Sequence, residues 1–185
     1  MAHAKGYGQA HGYNAPLATD TFVFQDDGFI PNSTLPLIVR RGAIQPSAPD
    51  PTKAFEKSFA KNGWSNSWQG GIFDYHHYHS SAHEVLGIVQ GSGTVQFGGE
   101  GGEVIAISAG DVVVIPAGVG HALIKESGDL VVVGAYADGR DWDIVRADQG
   151  QVDAGARSRA KQVPVPSADP VDGATGPLVK LWAGS

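Results

Sequence analysis

The chain has 185 residues, of which 26 are glycine, 11 are proline and none is cysteine. With 42% hydrophobic and only 17% charged residues, that composition excludes a coiled coil, a collagen repeat and a disordered chain, and points to a turn-rich, all-β domain. A formal charge of −6 with no basic run argues against a nucleic-acid partner, and the lack of cysteine excludes disulfides and zinc–thiolate sites.

Residues 1–20 read as a flexible N-terminal arm, small and glycine-rich, without the apolar run of a signal peptide. Strands are expected at 21–24 and 37–40, with Asp26-Asp27-Gly28 and Pro31-Asn32-Ser33 as turn chemistry and Pro36 just ahead of the second strand. Asp50 reads as an N-cap and Pro51 as the first helical position. Phe55 and Phe59 share a face, and Asn62-Gly63 closes the helix. Trp64 and Trp68 read as core packing. Short apolar runs cut by glycines then predict strands at 72–79, 83–89, 94–97, 103–107, 111–115, 120–125, 130–137 and 142–145. Gly98 to Gly102 reads as a hairpin turn, and Asp141-Trp142-Asp143 as a charged strand start around a core tryptophan. Residues 149–161 are a short helix or a loop. Pro164, Pro166, Pro170 and Pro177 then force an extended path on which Leu178, Leu181 and Trp182 are apolar anchors. The expected organisation is therefore an arm (1–20), a β-barrel (21–148) and an extended C-terminal tail (149–185) packed on the barrel or on a partner subunit. No apolar stretch is long enough to span a bilayer, so a soluble, cytoplasmic protein is expected.

Four of the seven histidines, His76, His77, His79 and His83, lie within eight residues; Glu84 follows them, and His121 lies further on. Strand alternation puts His77 and His79 on one face and His76 and Tyr78 on the other. Three imidazoles and one carboxylate suit a divalent first-row metal with positions left for water or substrate. Adjacent residues face opposite ways, which favours Glu84 over His83 as a ligand; a bulge across 80–82 would exchange the two. His83, Tyr75 and Gln90 are then candidates to support the ligands from behind, and His76 lies outside the set.

The spacing around these residues is specific. Gly71, His77, His79, Glu84 and Gly91 follow G-x5-H-x-H-x4-E-x6-G, and Gly110, Pro116, Gly118 and His121 follow G-x5-P-x-G-x2-H. The two runs resemble the paired signature motifs of the cupin superfamily, with Lys125 standing where the second motif carries asparagine. A wider likeness joins His77-Tyr78-His79-Ser80, His83-Glu84-Val85-Leu86-Gly87, Gly134-Ala135-Tyr136 and Asp141-Trp142-Asp143 to the YjlB-like group of bacterial single-domain cupins. The resemblance implies a small antiparallel jelly-roll β-barrel with a metal inside it, held by His77, His79, Glu84 and His121. The metal it implies is one of Fe, Mn, Ni, Co, Cu or Zn. It also implies a small-molecule ligand or substrate, and chemistry of the dioxygenase, oxidase/decarboxylase or isomerase type, with Glu84 as the candidate base. The alternative is a barrel that binds or senses a small ligand without catalysis. Pairing of cupins through their sheets implies a homodimer.

Overall fold

The computed structural model describes residues 18–46, 49–147 and 152–184. The expected arm lies almost wholly outside these residues, as does the start of the expected tail. The elements run β1 (Thr19–Phe24), β2 (Ser33–Arg40), α1 (Pro51–Lys61), β3 (Trp64–Gly70), β4 (His77–Tyr78), β5 (Glu84–Gln90), β6 (Ser92–Phe97), β7 (Glu103–Ser108), β8 (Val112–Ile115), β9 (His121–Glu126), β10 (Val131–Ala137), β11 (Val145–Arg146), α2 (Ala154–Ala160) and α3 (Pro177–Leu181). All pairings are antiparallel. One sheet has the order β1-β2-β8-β5-β10-β3 and the other β11-β4-β9-β6-β7, which is the all-β jelly-roll arrangement.

The period-2 alternation of the strands builds two apolar layers from one sheet. In β8, Val113 and Ile115 turn inward to pack with Leu37, Leu86, Ile88, Val95, Phe97 and Ile107 between the sheets. Val112 and Val114 turn outward, where Phe55 and Phe59 of α1 and Leu178 and Trp182 of the C-terminal segment cover them. Burial on both faces explains the uninterrupted run Val112–Ile115. The tail is thus packed on its own barrel: Trp182 Nε1 donates to Pro36 O at 2.9 Å, and the buried Asp169 carboxylate accepts from the backbone of Val171, Asp172 and Leu178.

Helix α1 forms as its sequence directs, with the Asp50 side chain accepting from Lys53 N and Pro51 at its start. Four expectations need correction. The run 72–79 forms a ladder only at His77–Tyr78, while the residues before it cross the mouth of the barrel without strand pairing. Pro36 lies inside β2, opposite a register shift between Phe22 and Phe24 that tolerates its missing N–H. The segment after α1 is a strand, β3, at the sheet edge beside β10. Against the expected 142–145, β11 covers only Val145–Arg146.

Candidate metal centre

His77 and His79 flank Tyr78 on β4 and the turn after it. The alternation sends both imidazoles into the barrel and Tyr78 outward against Ile30 and Ala156. His121 opens β9 directly opposite His77 in register. Glu84 opens β5 with the inward parity of Leu86 and Ile88. Gly118 ties the two histidine segments together: its N–H donates to His79 O at 2.8 Å, its φ is +91°, and a Cβ there would sit 2.6 Å from Asn32 O.

The nitrogens of His77, His79 and His121 form, among the described residues, a metal-capable group whose ligand atoms all lie within 4.8 Å of one another. Each ring is oriented from behind by a backbone carbonyl. His77 Nδ1 meets Tyr75 O at 3.0 Å, His121 Nδ1 meets Val119 O at 3.3 Å, and His79 Nδ1 bonds to Asp143 O. A carbonyl only accepts, so each Nδ1 carries a proton, and in the neutral ring the Nε2 lone pair is left to face inward. Glu84 completes the arrangement: its Oε2 lies 3.0 Å from His79 Nε2 and 3.4 Å from His121 Nε2. That buried oxygen receives no conventional hydrogen bond, whereas Oε1 accepts from the Tyr136 hydroxyl at 3.0 Å. Inward-facing imidazole lone pairs around an oxygen without a donor fit a divalent cation.

The electrostatics agree with that fit. Burial, and after it the proximity of His121, pulls the His77 pKa down to about 3, so this ring is neutral and ready to ligate. Burial also acts against a charged His79, but the Glu84 carboxylate beside it outweighs burial and raises its pKa. Burial resists ionisation of Glu84, but the charge of His79 and the close approach of the His121 and His79 nitrogens hold its carboxyl well below the usual range. Without a metal, a proton on His79 would balance the Glu84 carboxylate, and a cation would take its place.

The other expected residues fall as follows. His83 faces out of the barrel, its ring 4.8 Å from that of Trp182, and Ala117 N donates to its Nδ1 at 2.8 Å. Burial lowers its pKa to about 4. Tyr75 supports His77 through its carbonyl, while its ring lies under the Arg146 guanidinium at 3.8 Å. Gln90 lies outside the site: it is exposed at the far end of β5 and reaches Asp129.

A cavity of about 320 Å3 opens over the four inward groups, walled by Trp68, Gly70, Gly71, Ile72, Phe73, Leu86, Tyr136 and Trp142. Trp68 and Trp142 were expected in the core and instead face this cavity. Trp68 is redirected by a register shift in the β3–β10 ladder around Asn66, whose φ is +57°. Trp64 therefore points outward under α1 and Trp68 inward, although four residues separate them. Trp142 is held by its neighbour. The Asp143 carboxylate accepts from Ser80 N at 2.6 Å and Ser80 Oγ at 2.5 Å, which lays the Trp142 ring parallel to Tyr136 at 5.6 Å. No sequence signal marked Tyr136 or Asp143 beyond their place in the wider likeness.

No helix among the described residues is long and apolar enough to cross a membrane. A family model described as a cupin domain matches residues 66–134, which span the entire ligand set. The chain is 41% identical over 165 residues to the uncharacterized protein YjlB of Bacillus subtilis (strain 168), covering 89% of this chain and 96% of that one. Among solved structures it is similar to the cadmium-bound acireductone dioxygenase of Bacillus anthracis, at 15% identity and a TM-score of 0.41, over 69% of this chain and 82% of the other. It is also similar to oxalate decarboxylase of Bacillus subtilis, at 18% identity and a TM-score of 0.34, over 64% of this chain and 25% of the other. With the paired histidine segments in register and a full-length relative at this identity, the chain belongs to the YjlB-like single-domain cupins.

Proposed function

We propose that this cupin is a metalloenzyme that binds one divalent transition metal through His77, His79, His121 and Glu84 and acts on a small molecule in the cavity above them. The observation that carries the reading is the orientation of the imidazoles. All three spend Nδ1 on backbone carbonyls and keep Nε2 for the interior, where those of His79 and His121 lie 3.0 and 3.4 Å from the one Glu84 oxygen that has no donor. A bound divalent metal at such a site supplies Lewis acidity or a place for O2 or a chelating substrate. The chain's own residues do the rest. The aromatic wall excludes water, the carbonyls of Tyr75, Asp143 and Val119 fix the rings, and Glu84 is the cavity's carboxylate base.

The test is elemental analysis of protein purified without chelator, alongside His79→Ala and His121→Ala. About one metal per chain is expected in the parent and less than a tenth of that in either variant. Equal content in all three overturns the ligand assignment. Oxygen uptake or isomerisation by the Fe(II)- or Mn(II)-loaded parent, lost in His77→Ala, separates an enzyme from a barrel that only binds or senses its ligand.

A further inference from the structure

The side-chain polar groups beside Glu84 are already spent on one another. Trp68 Nε1 donates to the Tyr136 hydroxyl at 2.9 Å, and that hydroxyl donates to Glu84 Oε1. The Nδ1 atoms of the three histidines are held by carbonyls behind the wall. What stays open to a ligand is the metal locus itself, formed by the Nε2 atoms and Glu84 Oε2. Apart from the backbone of Gly70 and Gly71, the rest of the wall comes from apolar and aromatic side chains: Trp68, Ile72, Phe73, Leu86, Tyr136 and Trp142. Among the described residues no Lys or Arg lines the cavity, and Glu84 is its only carboxylate.

From this we infer that the cavity selects a flat, ring-sized molecule that is uncharged apart from one metal-chelating oxygen group, and that it rejects dicarboxylates and phosphorylated compounds. The inference rests on the metal-centre reading and adds the class of ligand to it. A second anionic group on a ligand is stripped of water against apolar walls with no cation to receive it, a loss that such walls do not repay. A planar ring, in contrast, buries its faces against aromatic side chains already arranged for it. A volume of about 320 Å3 is enough for one substituted ring beyond the chelating group. Trp142 sets the mouth: its ring is 41% exposed to solvent while lining the cavity, and it stacks on Tyr136 on the inner side.

A matched series of hydroxamates tests this on the Ni(II)-loaded full chain, because the chelating group stays constant while its substituent changes. Calorimetric titration is expected to show benzohydroxamate binding about 30-fold tighter than acetohydroxamate, the worth of burying roughly 80 Å2 of ring surface. Adding a para-carboxylate to the same ring is expected to weaken binding at least about tenfold. Trp142→Ala is expected to narrow the phenyl-over-methyl gap to below about fivefold, while Val104→Ser, exposed on β7 and outside the cavity, keeps the full gap. Equal affinity across the series, or tighter binding of the carboxylated ring, overturns the inference. Nickel content is measured on the same samples, so failure of the metal reading shows separately as protein without nickel. In that event the preference of the metal-free protein for phenol over benzoate, followed by tryptophan fluorescence, decides the inference alone: a clear preference supports it, and parity overturns it.

Discussion

The Tyr136 hydroxyl donates to Oε1 of Glu84 across 3.0 Å, and this bond determines which carboxylate oxygen faces the histidines. Trp68 Nε1 donates to the same hydroxyl, so the phenolic proton is turned toward Glu84. Burial, reinforced by the Glu84 charge, pushes the Tyr136 pKa far above its usual value, which keeps that proton in place.

Tyr136→Phe frees Oε1 and lets the carboxylate rotate. Metal affinity is expected to fall about tenfold, the usual scale for loss of a partner that orients a ligand. Competition against a chromophoric chelator measures it. Unchanged affinity would show that Glu84 is held by something other than the phenol.

Acid is expected to destabilise the metal-free protein. His77 and His83 have folded pKa values of about 3 and about 4, against 6.5 for the free side chain. The unfolded chain therefore binds more protons than the folded one between pH 6.5 and about 4, and stability drops as pH falls through that window. Glu84, with its pKa lowered, adds stability above the ordinary carboxylate value that is lost as pH falls. His79 has the opposite sign: its raised pKa stabilises below 6.5 and the gain fades as pH rises through the folded value. Thermal melts in chelator at pH 7 and 4.5 are expected to differ by roughly 10 °C. A flat profile would mean that His77 and His83 carry charge in the folded state. Metal affinity falls with pH as well, by about tenfold per unit below the His79 pKa, because the cation displaces the His79 proton.

Gly134→Ala separates cavity shape from general packing. A Cβ at Gly134 would sit 2.1 Å from the Trp68 indole, so the ring is driven out of its place and off Tyr136. The expected stability loss is about 1–3 kcal/mol, together with a shifted tryptophan emission and weaker metal binding. Gly87→Ala lies on β5, where its Cβ meets Phe55 at 2.2 Å on the outer face of the sheet. It is expected to cost similar stability and leave metal affinity unchanged. Identical metal affinities for the two variants would disconnect Trp68 from the site.

Trp182→Ala is expected to cost about 3–5 kcal/mol in denaturant unfolding, as for other fully buried tryptophans. Its ring is 1% exposed, packs in the outer apolar layer and donates to Pro36 O. A loss below about 1 kcal/mol would show that the tail contributes little to the fold.

Strand alternation put His77 and His79 on one face and Glu84 opposite His83, and the resemblance to the cupin motifs added His121; His79 and His83 lie just outside β4 and β5 but keep that parity. The cavity wall was not legible in the same way. Trp68 reaches the interior only because the ladder slips at Asn66, and no periodicity announces a left-handed residue there. Trp142 and Asp143 act from a segment without strand pairing, where direction is set by bonds to Ser80, more than 60 residues away in sequence. Gln90 was misplaced for the converse reason. It shares β5 with Glu84, but six residues of extended chain carry it to the opposite end of the barrel.

The outer covering of β5 has a consequence for how the protein is made. His83 and Glu84 are neighbours on opposite sides of one sheet, and the ring that closes over His83 belongs to Trp182, almost a hundred residues downstream. During synthesis, the strands bearing every metal-facing side chain leave the ribosome well before the segment that seals their back. Until then α1 alone covers Val85, Val112 and Val114 on that side. The C-terminal segment is thus supplied after all the strands that carry the inward histidines and Glu84, and the back of β5 is complete only with it.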